Sequence, residues 1–219
     1  MNLGWQQILI GLAALAAASP LVAPEVLAFP YHEDFGVDRV WSEVPIPRSV
    51  LASILHDAEA RIESSPLAVG EEGRRIFLTD GGWRWTMLAL NSRGAFALTR
   101  SLREDLILNR SDVLAGKVEN GRAIGGVRSL ASVIAHEKCH GMVRRRFGLM
   151  IDLFKPQWLR EGYCDYVAGE SSLSDAVYAG LKQRGENHPA MPYYEGRKRV
   201  SEILQSNGGN VDALFAGAH

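Results

Sequence analysis

The pentapeptide His136-Glu137-Lys138-Cys139-His140 places two histidines four residues apart. Positions i and i+4 share one face of a helix, so both imidazoles can reach a single metal ion. Glu137 is rotated about 100° from His136 around the helix axis, where it can serve as general base toward a water molecule. The spacing therefore predicts a metal site with hydrolytic chemistry.

A second helix is predicted to supply the third ligand. The segment is Trp158-Leu159-Arg160-Glu161-Gly162, and twenty residues separate His140 from Glu161, which lets the chain turn and cross the first helix. Two imidazoles and one carboxylate leave a coordination position for water, as in catalytic zinc sites. The alternative for Glu161 is a solvent-facing helix carboxylate. Asp165 lies on the same face, either as a hydrogen-bond acceptor for a ligand imidazole or as a surface residue.

Together, the HExxH and WLxEG segments resemble the gluzincin metallopeptidases, in particular the superfamily of aminopeptidase N and thermolysin. The resemblance is local and covers residues 131–166 best. The chain departs from the aminopeptidase pattern W-L-N-E-G-F-A at Arg160 and at Tyr163-Cys164, and neither change removes a ligand. The resemblance implies peptide-bond hydrolysis, with Glu137 taking a proton from zinc-activated water and delivering it to the leaving amine. It also implies one zinc ion per chain, held by His136, His140 and Glu161.

An oxyanion donor is expected near Tyr193-Tyr194-Glu195-Gly196. This segment resembles the Tyr-Glu-Lys-Gly of the aminopeptidase branch, which implies that Tyr193 stabilises the transition state. Tyr194 and His188 are alternatives, and a tyrosine merely packed at a helix start is another. The Gly-x-Met-Glu-Asn type of loop that binds the substrate amine in that branch is missing. We therefore expect an endopeptidase, or an enzyme with a very narrow substrate range, rather than an aminopeptidase.

Cys139 and Cys164 are the two cysteines of the chain, and both lie within the site motifs. A bridge would pin the two ligand helices together and requires Cα atoms about 4.4–6.8 Å apart. Cys139 is rotated about 100° from His140, so the sequence favours free, buried thiols over a bridge. Cys164 follows Glu161 by three residues and lies on its side of the helix, so a structural zinc with Cys164 as fourth ligand in place of water is an alternative.

The overall composition excludes some partners. The chain has 219 residues and a net charge of −1, with no long basic tract, so nucleic acid is not expected. The densest basic run, Arg144-Arg145-Arg146, suits a helix C-terminus. We expect a peptide or protein substrate. The second function class is a membrane-linked binding or assembly protein that keeps the zinc site with little turnover.

Residues 1–28 are predicted to be a signal peptide or a membrane anchor. Residues 8–23 carry no charge and resemble a signal-peptide apolar region, with Val26-Leu27-Ala28 as a cleavage site. No Lys or Arg precedes this run, which is unusual for a signal, and residues 3–27 are long enough for a tilted span. Both alternatives place the catalytic part outside the cytoplasm.

Residues 29–219 are expected to form one α+β domain, zincin-like by the resemblance. Residues 29–47 are predicted to be an irregular linker or covering segment. A small, mostly antiparallel sheet of three or four strands is expected to precede a helical half that carries the zinc site. Strands are predicted at 75–79, 84–90, 95–99 and 105–109. Helices are predicted at 49–62, 127–147, 156–169, 172–184, 194–206 and 212–218.

Overall fold

The computed structural model describes residues 19–70, 73–100 and 103–217, together with residues 4, 5, 7 and 10. Half of the predicted signal or anchor at 1–28, including residues 11–18, therefore lies outside the described residues. Among the helices that are described, none is long and apolar enough to cross a membrane. Pro24–Leu27 forms a 3₁₀ turn that packs on the domain, because Leu27 is buried and Glu25 pairs with Arg75 at 2.7 Å.

Within the described residues, seven strands form one mixed sheet in the order β1-β2-β3-β5-β6-β7, and β4 pairs with β5. The β2–β3 and β3–β5 pairs are parallel, and the other four are antiparallel. The α+β class is confirmed, although the sheet is larger than expected and its centre is parallel. The strands are β1 (Tyr31–Phe35), β2 (Asp38–Ser42), β3 (Arg75–Thr79), β4 (Ala97–Thr99), β5 (Leu106–Asp112), β6 (Lys117–Glu119) and β7 (Val127–Ser129).

Two sequence predictions were wrong. Residues 29–47 are not an irregular segment, because they contain the β1–β2 hairpin, which turns at Gly36 with a φ of 58°. Its outer strand is mostly exposed and charged, so it lacks the apolar run that reveals a strand. Residues 84–90 are not a strand but largely helix, since Trp85, Leu88 and Ala89 are buried at helical spacing.

The remaining helix predictions are confirmed to within a few residues. Residues 127–129 belong to strand β7, and the helix after it begins where the Ser129 hydroxyl accepts a hydrogen bond from the Ser132 amide. The helices are α1 (Arg48–Glu63), α2 (Trp83–Ala89), α3 (Leu130–Phe147), α4 (Ile151–Phe154), α5 (Gln157–Ala168), α6 (Asp175–Gln183), α7 (Met191–Ser206) and α8 (Val211–Gly217).

Helix α3 runs through the middle of the domain. It contacts β4 and β5 on one side and helices α1 and α5 on the other, and residues 130–144 are all buried. Its charged side chains therefore need partners inside the protein. Lys138 reaches Asp38 at 3.0 Å and Glu59 at 3.1 Å, which ties α3 to the start of β2 and to α1.

Candidate metal centre

Helices α3 and α5 bring the three predicted ligands together. The Nε2 atoms of His136 and His140 are 3.2 Å apart. Glu161 Oε2 lies 3.3 Å from His136 Nε2 and 3.6 Å from His140 Nε2. The three side chains point one nitrogen or oxygen atom each at a common centre, which is the arrangement of a metal site. His136 and His140 are buried, and Glu161 is half-buried.

Asp165 orients His136, so it is not a surface residue. Its carboxylate is fully buried, with Oδ1 at 2.8 Å from His136 Nδ1. That contact leaves the Nε2 lone pair of His136 free to face the centre. Arg128 Nη1 lies 3.0 Å from Asp165 Oδ1, and the Ser171 hydroxyl donates to Oδ2 at 2.8 Å. The carboxylate is thereby held on three sides.

The charges of these groups shift one another's pKa values. Burial opposes the charged form of His136, but the hydrogen bond and charge of Asp165, helped by Glu161, raise the pKa of His136 to about 10. Burial also opposes ionisation of Glu161, yet the two imidazoles hold its pKa well below the usual range. The cluster thus attracts positive charge strongly. Metal binding there is coupled to proton release, because a metal ion and a proton compete for Nε2 of His136.

Glu137 lies beside the ligands and is buried. The Thr99 hydroxyl donates to Glu137 Oε2 at 2.6 Å, so the last residue of strand β4 fixes the orientation of this carboxylate. Thr99 lies at the end of a run that the sequence predicts to be a strand, but no motif in the sequence connects it to Glu137.

A cleft of about 480 Å³ opens over the site. The cleft is lined by strand β4 and the residues just before it, by residues from α7 and the loop before it, and by residues from the loops before β7 and α6. His136, Glu137, His140 and Glu161 all border the cleft. An extended ligand could therefore lie along β4 and reach the centre.

Of the three candidate oxyanion donors, Tyr193 borders this cleft. Gln157 Nε2 donates to the Tyr193 hydroxyl at 3.0 Å, which leaves the phenolic proton free for another acceptor. Tyr194 is turned away, stacks on Tyr178 and donates to Asp175 at 2.7 Å. His188 accepts from the Ala190 amide at 3.2 Å and does not line the cleft.

Two glycines let α5 and α7 approach each other closely. A Cβ built at Gly162 would overlap the Gly196 backbone, and one at Gly196 would lie 2.5 Å from the Trp158 carbonyl oxygen. Gly162 follows the ligand Glu161, and Gly196 follows Tyr193 by three residues. The glycines in both motifs are therefore needed for the helix contact that brings Tyr193 near Glu161.

Comparisons with family models, with curated proteins and with solved structures found no match for this chain. The chemical interpretation of the site accordingly rests on its geometry.

The favoured prediction of free thiols was wrong, because Cys139 and Cys164 form a disulfide with Cα atoms 5.4 Å apart. Residues i, i+3 and i+4 of a helix share a face, so Cys139 lies on the same side of α3 as His136 and His140. Cys164 bonds to Cys139, and its sulfur is 3.8 Å from His140 Nδ1. With both sulfurs in the bridge, neither can act as a thiolate ligand.

Three arginines escaped the functional prediction. Arg128 reaches Asp165, whereas Arg144 and Arg160 both reach Asp152 at the far end of the cleft. Arg144 belongs to the basic run that the sequence assigns to a helix end, and Arg160 is the departure from the aminopeptidase pattern. The sequence did hold a signal for these two residues, since Arg144 follows His140 by four residues and Arg160 directly precedes Glu161.

Asp165→Asn is expected to weaken metal affinity about 10- to 100-fold, because His136 loses the carboxylate that orients its ring. The dissociation constant is measured by competition with a chromogenic chelator, after circular dichroism verifies folding. Asp175→Asn is the matched control, since this carboxylate is exposed on α6. Equal affinities for both variants would contradict the orienting role of Asp165.

The disulfide is expected to be present in protein purified without reductant, so the unfolded chain should react with no thiol reagent. Removing it in the Cys139→Ala/Cys164→Ala variant should lower the free energy of unfolding by about 3–4 kcal/mol, since the bridge spans a separation of 25 residues. Urea titration measures the loss. Two reactive thiols per unreduced chain would disprove the bridge.

Proposed function

We propose that this protein is a zinc-dependent peptidase of the gluzincin type with a zincin-like domain. The observation that carries the proposal is the convergence of His136, His140 and Glu161, with Glu137 beside them in an open cleft. Three ligands that border solvent leave room for water and a substrate carbonyl, whereas structural zinc sites are closed by a fourth protein ligand.

The donor set suits zinc better than the other common divalent ions. Imidazole nitrogen combined with one carboxylate is typical of catalytic zinc, whereas calcium and magnesium prefer oxygen ligands alone. The buried Asp165 carboxylate behind His136 adds the outer hydrogen bond that such ligands usually make. One zinc ion per chain is therefore the proposed cofactor.

Zinc held by these residues would supply a Lewis acid that activates water and polarises a carbonyl. Glu137 takes the proton of the attacking water and transfers it to the leaving amine. Thr99 keeps the Glu137 carboxylate in position through its 2.6 Å hydrogen bond. The Tyr193 hydroxyl donates a hydrogen bond to the developing oxyanion. The hydroxyl stays protonated, because burial and, next, the charge of Glu161 raise the pKa of Tyr193.

The substrate is proposed to be a peptide or protein that lies extended beside β4. This strand pairs with β5 on one edge, and its residues line the cleft. A strand next to a cleft can bind an extended peptide through backbone hydrogen bonds. The chain lacks a motif for a substrate amine, which supports cleavage within a peptide over removal of its first residue.

An extracytoplasmic location, secreted, periplasmic or membrane-anchored, is part of the proposal. Two observations support it: the uncharged run at residues 8–23 and the disulfide between Cys139 and Cys164. Disulfides persist in oxidising compartments and are rare in the cytosol.

Purified protein is expected to contain about one zinc per chain and to cleave members of a broad peptide library. Glu137→Gln should keep the zinc and lose nearly all hydrolysis, because Glu137 is a base and no ligand. His136→Ala should lose the zinc. Metal analysis measures the zinc content of each protein, and mass spectrometry of the library measures peptide cleavage.

Loss of zinc in Glu137→Gln would make this residue structural and contradict the mechanism. A zinc-loaded, folded wild-type protein that cleaves no peptide would instead favour the binding or assembly protein as the function. Lys182→Gln, an exposed change on α6, is the control for handling and folding.

Tyr193→Phe is expected to lower kcat about 100- to 1,000-fold with little change in KM, because the hydroxyl acts on the transition state and not on bound substrate. Tyr194→Phe is the matched control, since its hydroxyl binds Asp175 away from the cleft. Steady-state kinetics on a cleaved library peptide measures both variants. Similar losses in the two variants would exclude a specific role for Tyr193.

A further inference from the structure

Two arginines meet at one end of the cleft, beyond the candidate metal ligands. Arg144 follows His140 by one helical turn on α3, and Arg160 directly precedes Glu161 on α5. Both contact Asp152 in the short helix α4, Arg144 through Nε at 2.8 Å and Arg160 through Nη1 at 3.3 Å. All three side chains border the cleft.

The cluster of Arg144, Arg160 and Asp152 carries a net positive charge. Two guanidinium groups share the single carboxylate of Asp152, and Glu161 Oε1, which belongs to the metal centre, is 3.9 Å from Arg160. The Arg144 side chain is only 8% exposed, and its Nη1 atom has no hydrogen-bond partner among the described residues. A buried guanidinium N–H without an acceptor is energetically costly. An acceptor group on a bound ligand would remove this cost.

We propose that Arg144 and Arg160 form a subsite for a carboxylate group of the substrate. The proposal rests on the peptidase function, because it names the part of the peptide that this end of the cleft binds. Arginine is suited to this role, since its planar fork of N–H groups matches the two oxygens of a carboxylate. Asp152 holds both forks in place and leaves a net charge of about +1.

The distance to the metal centre fits this role. Arg144 lies four residues after His140, so its Cα is about 6 Å farther along the helix axis. An extended peptide advances about 3.3–3.6 Å per residue. A carboxylate one or two residues from the bond that is cleaved would therefore reach the arginine pair while the carbonyl stays at the centre.

Two sources can supply this group: the C-terminal carboxylate of a short peptide, or an Asp or Glu side chain inside a longer one. The first would make the protein release C-terminal residues, and the second would make it cut beside acidic residues. The recognition chemistry is the same, and the length and blocking of the peptide distinguish the two sources.

Binding is measured by calorimetry on the zinc-loaded Glu137→Gln protein, which does not consume the ligand. The probes are acetyl-Ala-Ala-Ala as free acid, the same peptide as C-terminal amide, and two amides in which Glu or Gln replaces the last Ala. We expect the free acid or the Glu amide to bind at least 10-fold more tightly than its neutral counterpart. The probe that shows the preference identifies the source.

Arg144→Gln and Arg160→Gln, each added to Glu137→Gln, should reduce this preference at least 5-fold. Asp152→Asn should increase it, because it removes the competing carboxylate, an effect that a purely structural role for the cluster would not produce. Arg184→Gln is the control, since this arginine is exposed and pairs with Glu186. Metal analysis establishes that each variant retains zinc.

Equal binding of acidic and neutral probes, no binding of any probe, or a preference that survives both arginine changes would overturn the subsite. Hydrolysis by the wild-type protein tests the peptidase function separately. Cleavage of acidic and neutral peptides at equal rates would leave the peptidase standing without this subsite. Carboxylate binding without any cleavage would leave the subsite standing without the peptidase.

Discussion

The crossing of α3 and α5 is the contact on which the site depends. Three residues on one face of α3, at i, i+3 and i+4, meet three residues on one face of α5 with the same spacing. The facing positions serve three different purposes: the candidate ligands converge on one centre, the cysteines bridge the helices, and Asp165 orients His136. The facing residues are His136, Cys139 and His140 on α3, and Glu161, Cys164 and Asp165 on α5.

Burial of α3 explains why so many ion pairs surround it. A charged side chain inside a protein is tolerated only with a partner, and Lys138 and Arg144 have such partners in β2, α1 and α4. The same condition applies to Asp165, which is fully buried and lies against Arg128. These pairs hold the helix in one position, and a metal site needs that because ligand atoms must be placed within a few tenths of an ångström.

The cleft has unequal ends. Near β4 it is lined by uncharged residues, among them Thr99, which holds the Glu137 carboxylate, whereas beyond His140 it is lined by Arg144 and Arg160. An extended chain beside β4 would thus meet backbone groups along its length and a positive charge at one end. This asymmetry would give a peptide substrate a direction in the cleft, because the carboxylate that it presents would have to lie at the arginine end.

The sequence by itself determined the residues of the centre, because helical periodicity turns the spacing of His136 and His140 into a shared face. It also determined the α+β class and most helices. Tertiary structure decided what spacing cannot encode: that Thr99 reaches Glu137, that Arg128 lies behind Asp165, and that the β1–β2 hairpin extends the sheet. The cysteine bridge belongs to this second group, because a rotation around one helix says nothing about the helix that packs against it.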